Sequence, residues 1–163
     1  MHPAQSTGLA ALVTIAQAAA HEILAVYATD FAATQKADDT PVTEADLRAD
    51  RIIRAGLQQH FAGVFVWSEE SSADIALPKN PVPERFFLVD PLDGTKEFLK
   101  RNGEFTVNIA LIEHGVPLAG VVLAPALGEL FYAAQGLGAF KVRADGSGAR
   151  PIRGAPVSQA GHF

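Results

Sequence analysis

The chain has 163 residues, 48% of them hydrophobic and 19% charged, which suits one soluble globular core. It contains no cysteine, so disulfides and thiolate metal sites are excluded, any metal must be held by oxygen or histidine, and an intracellular setting is compatible. A net charge of -5 argues against a nucleic-acid-binding surface, which needs clustered Lys and Arg, but leaves a small phosphorylated substrate open because a bound dication reverses the local sign of charge.

From Ser6 to about Thr29, the residues Leu9, Leu12, Val13, Ala16, Ala20, Ile23 and Leu24 recur at helical spacing and predict a long core helix with Ser6 or Thr7 as N-cap. Its stretch Gly8 to Ala20 is apolar, but Gln17 interrupts it and no Lys or Arg precedes it, so neither a signal peptide nor a transmembrane segment is expected. Lys36 to Pro41 reads as a polar turn. Thr43 then opens a second helix to about His60, with Asp46 at capping-box spacing although Asp replaces the usual Glu or Gln.

Val64 to Trp67 is a short strand, and a Ser-, Pro- and Asn-containing loop follows Glu69-Glu70 to about Glu84. The strand Arg85 to Val89 leads into Asp90-Pro91-Leu92-Asp93-Gly94-Thr95, and Lys96 to Arg101 can form a short helix. Phe105, Val107, Ile109 and Leu111 alternate as the inward face of another strand. Further strands are expected at Leu118 to Leu123, Glu129 to Ala133 and Ala139 to Val142. Beyond Arg143 the composition is that of a linker or disordered tail.

Asp90 and Asp93 would diverge on a regular extended chain. Pro91 fixes one dihedral and Gly94 permits a tight turn, so the loop can bring both carboxylates to one point and leave the Leu92 carbonyl free as a further ligand. Glu69 ends a strand that can neighbour theirs, and carboxylates grouped this way repel one another unless a cation joins them. Gly94 and Thr95 present backbone N–H groups where an anionic phosphate is favoured. Asp46 reads either as a helix cap or as a member of the site. Histidines 2, 21, 60, 114 and 162 show no metal-ligand spacing, and Trp67 and the phenylalanines read as core.

Three blocks carry a family resemblance: Lys36 through Asp46 (KADDTPVTEAD), Trp67-Ser68-Glu69-Glu70, and Leu88 through Ile112 (LVDPLDGTKEFLKRNGEFTVNIALI). Together they resemble the magnesium-dependent, lithium-sensitive inositol monophosphatase superfamily. Lys96-Glu97-Phe98 and the run Lys100 to Thr106 are similar to its 3'(2'),5'-bisphosphate nucleotidase branch, since inositol monophosphatases usually place Thr-Asn-Phe after the DGT. The resemblance implies an α+β layered fold, the sugar-phosphatase or inositol monophosphatase-like αβαβα type, of which this chain supplies the N-terminal αβ portion. It implies magnesium bound by Glu69, Asp90, the Leu92 carbonyl and Asp93, on the order of two or three ions. It also implies catalytic roles for Asp46, Thr95 and Glu69, and substrate contacts from Glu69, Leu92, Asp93, Gly94 and Thr95.

The implied reaction is metal-dependent hydrolysis of adenosine 3',5'-bisphosphate to AMP and phosphate, or of 3'-phosphoadenylyl sulfate, in the cytoplasm or peripherally on the inner membrane. A homodimer is compatible with this. The family also carries a Trp-Asp-x-Ala motif in a second domain, which these residues lack. The expectation is therefore a metal-binding αβ domain over residues 1–143, a linker or aberrant tail over 144–163, no second domain, and weak activity for this stretch alone. The alternatives are a sugar phosphatase of the same superfamily and a noncatalytic fragment that acts by association.

Overall fold

The computed structural model describes residues 3–31, 33–35, 41–71 and 82–154. The elements run α1 (Pro3–Tyr27), β1 (Ala33–Gln35), β2 (Pro41–Thr43), α2 (Glu44–His60), β3 (Phe65–Ser68), β4 (Arg85–Asp93), α3 (Thr95–Leu99), β5 (Thr106–Glu113), β6 (Val116–Ala124), β7 (Glu129–Ala134), β8 (Gly138–Arg143) and β9 (Arg150–Ile152). A 3-10 turn at Glu69–Ser71 follows β3.

Strands β3 to β9 lie in chain order in one seven-stranded sheet. Only β3 and β4 pair in parallel, and every later neighbour is antiparallel. β1 and β2 form a separate antiparallel pair. The period-two pattern of β5 selects its packed face: Val107, Ile109 and Leu111 are buried, and Phe105 continues the row. With Phe87, Val89, Val121, Leu123, Leu130 and Val142 they meet α1 and α2, which cover this side of the sheet. Burying one such large apolar side chain contributes about 1.5–3 kcal/mol. α1 can lie close to α2 because position 56 has no side chain, where a Cβ would come 2.6 Å from Ile15 Cγ1.

By length and hydropathy alone Gly8–Tyr27 could cross a membrane. Its buried residues Leu9, Leu12, Ile15, Ala19, Ile23 and Val26 instead belong to the core facing α2 and the sheet. It is a core helix.

The opposite side of the sheet is open. Leu88 and Val122 are 46% and 41% exposed there, and with Trp67, Ala110, Gly120 and Phe131 they line a cleft of about 770 Å³. Trp67 therefore belongs to this open side, tilted against Phe86 with ring centroids 5.9 Å apart. The expectation that Trp67 and the phenylalanines are core is corrected for Trp67 and Phe131, while Phe87, Phe98 and Phe105 are buried.

Other boundaries move as well. α1 runs from Pro3 to Tyr27, so Ser6 and Thr7 lie inside the helix and not at its start. β4 does not stop at Val89 but continues through Asp93. The β1–β2 pair was not anticipated; of the polar turn expected over Lys36 to Pro41, residues 36–40 fall outside the described residues and Pro41 begins β2, and of the loop expected to about Glu84, residues 72–81 fall outside them.

The tail expected from residue 144 is corrected over its first part. Arg150–Ile152 pair with Lys141 to Ala139 of β8, and the intervening residues make a hairpin turn in which Gly146 N–H donates to Arg143 O at 2.8 Å. Gln17 Nε2 of α1 donates to Ala144 O at 2.7 Å, tying that turn to the helical layer. A three-residue edge strand needs only backbone pairing, and an edge tolerates Pro151, so no apolar pattern announces it. Residues 155–163 lie outside the described part.

Candidate active site

Asp90, Glu69 and Asn108 line one end of the open cleft. What turns Asp93 toward the same side is a β-bulge. Asp90 pairs with Asn108 and Asp93 with Thr106, three steps along β4 against two along β5. On a regular strand residues three apart point to opposite faces; the extra residue restores the parity, so both carboxylates emerge on the open side. The sequence expectation of convergence therefore holds in direction, but a bulged strand produces it, not a loop beyond the strand. Pro91 is tolerated because β3 pairs with β4 only as far as Val89, leaving no ladder on that flank for a missing N–H to break. Leu92 is 2% exposed and anchors the bulge in the core.

Glu69 enters from the 3-10 turn after β3. Ser68, 2% exposed, holds that turn: its Oγ donates to Asp50 Oδ1 of α2 at 2.5 Å and accepts from Glu70 N–H at 3.3 Å. Asp50 is paired in turn with Arg54 at 2.8 Å. This link between α2 and the turn was not read from the sequence.

Asp46 is 1% exposed, and its two oxygens bond in different directions. Its Oδ2 accepts from Thr43 N–H at 2.8 Å and from Thr43 Oγ1 at 2.6 Å, closing the capping box of α2. Its Oδ1 accepts from Thr95 Oγ1 at 3.1 Å. Thr95 Oγ1 also lies 3.3 Å from Leu92 O, so the hydroxyl sits between the buried acid and the bulge carbonyl.

Gly94, the N-cap of α3, has φ 91°. That is left-handed backbone, which glycine adopts without strain. A Cβ there would meet Glu104 O at 2.9 Å, so the absent side chain lets the start of α3 lie against the β5 approach.

Burial is the largest influence on Asp90, whose carboxyl is raised from the ordinary 3.8 to about 7; the charges of Glu69 and then Asp93 and a side-chain hydrogen bond with Glu69 push the same way, and a hydrogen bond from the Leu92 backbone opposes them. Asp90 Oδ1 and Asn108 Oδ1 are buried and have no hydrogen-bond partner. The three carboxylates are thus electrostatic neighbours, although among the described residues no three acid or histidine side chains already converge on a single point. The oxygen-only donors and the orphaned buried Asp90 oxygen fit a hard cation such as magnesium. The sequence reading missed Asn108; its signal is a polar amide between Val107 and Ile109, opposite Asp90.

The chain is similar to the 3'(2'),5'-bisphosphate nucleotidase CysQ of Salmonella typhimurium, 53% identical over 102 residues that make up 63% of this chain and 41% of that protein. Among solved structures it resembles CysQ from Bacteroides thetaiotaomicron, with TM-score 0.69, 40% identity, and coverage of 84% of this chain and 49% of that one. It also resembles the suhB protein of Bartonella henselae, with TM-score 0.72, 32% identity, and coverage of 83% and 52% respectively. The chain therefore spans about half the length of these relatives. Its layered αβ arrangement is that of the same fold. The inositol monophosphatase family matches residues 4–161, and the chain belongs to that family.

Proposed function

We propose that this chain carries the metal-binding part of a 3'(2'),5'-bisphosphate nucleotidase that hydrolyses adenosine 3',5'-bisphosphate to AMP and phosphate, with 3'-phosphoadenylyl sulfate as a related substrate. The observation that carries the reading is the bulge that turns Asp90 and Asp93 to one side, beside Glu69, with Thr95 bonded to buried Asp46. Similarity to the CysQ nucleotidases supports the substrate class.

Glu69, Asp90, the Leu92 carbonyl and Asp93 are the residues that would hold magnesium, about two or three ions. Magnesium, when bound, supplies positive charge to phosphoryl oxygens and lowers the pKa of water. Thr95 gives its hydroxyl proton to Asp46 in hydrogen bonding, which leaves its lone pairs free to accept from an attacking water. As that water adds to phosphorus, its proton passes to Thr95 and the proton of Thr95 passes to Asp46, while the P–O ester bond breaks and the departing sugar oxygen takes a proton from solvent; Asp46 then returns its proton to solvent. Gly94 and Thr95 backbone N–H groups face the phosphate. The same reading places the protein in the cytoplasm, compatible with a homodimer and with peripheral contact at the inner membrane.

The test is phosphate release from adenosine 3',5'-bisphosphate and from inositol 1-phosphate, with and without magnesium, for the wild-type chain and Asp90→Asn. Magnesium-dependent release from the bisphosphate that Asp90→Asn abolishes supports the proposal. Preference for inositol 1-phosphate, or release indifferent to Asp90→Asn, would overturn it.

A further inference from the structure

Asn108 faces Asp90 across the β4–β5 ladder, and its Nδ2 donates to Asp93 Oδ2 at 3.2 Å. That bond decides which way the amide points, because the flipped amide would aim its carbonyl at a carboxylate. Asn108 Oδ1 is therefore turned away from Asp93, and it is buried without a hydrogen-bond partner, as is Asp90 Oδ1. Both residues line the same end of the cleft with Glu69. A buried acceptor normally finds a donor or a cation, and two of them on cross-strand neighbours point to one shared occupant.

Packing does not account for an asparagine at this position. Val107 and Ile109 supply the buried side of β5, whereas Asn108 is on the open side. A fourth carboxylate here would add to the repulsion among Glu69, Asp90 and Asp93, and an apolar residue would bond to nothing. An amide can donate to one neighbour and accept from another without adding charge.

We propose that Asn108 is a positioning residue of the cation site, holding Asp93 through its amide N–H and offering Oδ1 as an uncharged acceptor to a water carried by the cation on Asp90. Magnesium keeps several of its waters, and each of them needs an acceptor. This assignment rests on the reading of Glu69, Asp90 and Asp93 as a cation site.

The experiment uses the 163-residue chain, with Mn2+ as probe counted by electron paramagnetic resonance, and Asn108→Leu and Asn108→Asp checked for folding by circular dichroism. Asn108→Leu should weaken Mn2+ binding by about tenfold or more. Asn108→Asp keeps an acceptor but loses the donor, so its cation-free unfolding temperature should fall and Mn2+ should raise it by more than in the wild type. In the wild-type chain the Asn108 side-chain amide resonances should shift on titration with Mg2+. Unchanged Mn2+ affinity in Asn108→Leu, or amide resonances that stay fixed at saturating Mg2+, would overturn this assignment alone. A wild-type chain that binds no Mn2+ would overturn the cation-site reading and this assignment together.

Discussion

Thr95 Oγ1 donates to Asp46 Oδ1 at 3.1 Å across 49 residues of chain, joining the start of α3 to the start of α2. Asp46 holds the α2 cap with one oxygen and Thr95 with the other, so the two functions can be separated by substitution. Thr95→Val keeps the shape and removes the donor, leaving a buried carboxylate oxygen unpaired, at an expected cost of about 1–3 kcal/mol. Thr95→Ser should recover most of that loss. Urea unfolding of both variants checks this; a Thr95→Val midpoint equal to wild type would show that the bond contributes nothing to the fold.

The raised Asp90 carboxyl makes a pH prediction with a definite sign. The folded chain keeps this proton up to about pH 7, whereas the unfolded chain releases it near the ordinary 3.8. In the cation-free protein this group therefore stabilises the fold at acidic pH, and that contribution is lost as pH rises through about 7. Magnesium needs the ionised form, so the rise in unfolding temperature on adding it should be larger at about pH 8 than at about pH 5.5. Asp90→Asn should remove most of both dependences. Calorimetry in chelator and in magnesium, at both pH values, tests the pair of trends, and the reverse order would count against the assignment.

Gly94→Ala combines two penalties, a left-handed φ of 91° and a Cβ placed 2.9 Å from Glu104 O. The backbone strain alone should cost about 1–3 kcal/mol. The close approach adds to it, because the Glu104 carbonyl is rigid backbone and cannot swing aside. A thermal midpoint within error of wild type would mean that the α3 start can move away from β5.

Arg101 joins the end of α1 to the turn after α3. Its guanidinium donates to Tyr27 O at 2.7 Å and to Thr29 O, and lies 4.6 Å from the Phe31 ring centroid. Hydrogen bonds of a charged donor to the last helical carbonyl and to the turn just beyond it make this a C-terminal clamp worth about 1.5–3 kcal/mol. Arg101→Ala should lose most of it, and Arg101→Lys should recover little because an ammonium cannot span both carbonyls with the planar fork. Hydrogen exchange at the C-terminal turn of α1 gives the local readout, and protection equal in all three proteins would contradict the clamp.

Periodicity made much of the fold legible. The apolar spacing from Leu9 to Ile23 announced α1, Thr43 with Asp46 marked the start of α2, and the alternation from Phe105 to Leu111 picked the buried face of β5. The motif from Asp90 to Thr95 pointed to the candidate site through residue types alone. The sequence did not reveal how the site is assembled, because a bulge is defined by the pairing partner, and Asn108 and Asp50 matter only through neighbours distant in the chain. Trp67 looked like core because large aromatics usually are, and nothing local in the chain reports that one side of the sheet is open. β9 was invisible because three backbone-paired residues at an edge carry no hydrophobic signature.

The extra residue between Asp90 and Asp93 makes this segment more sensitive to length than to side-chain identity. Replacing Leu92 with another apolar residue leaves the count of steps unchanged. Deleting it would restore even matching with β5 and, because residues two apart share a face, keep both acids on the open side, but it would remove the buried Leu92 anchor and the carbonyl that lies 3.3 Å from Thr95 Oγ1. The extra residue therefore does more than aim the two carboxylates: it adds a carbonyl beside Thr95 and a core anchor beneath the site, and a shorter segment would lose both.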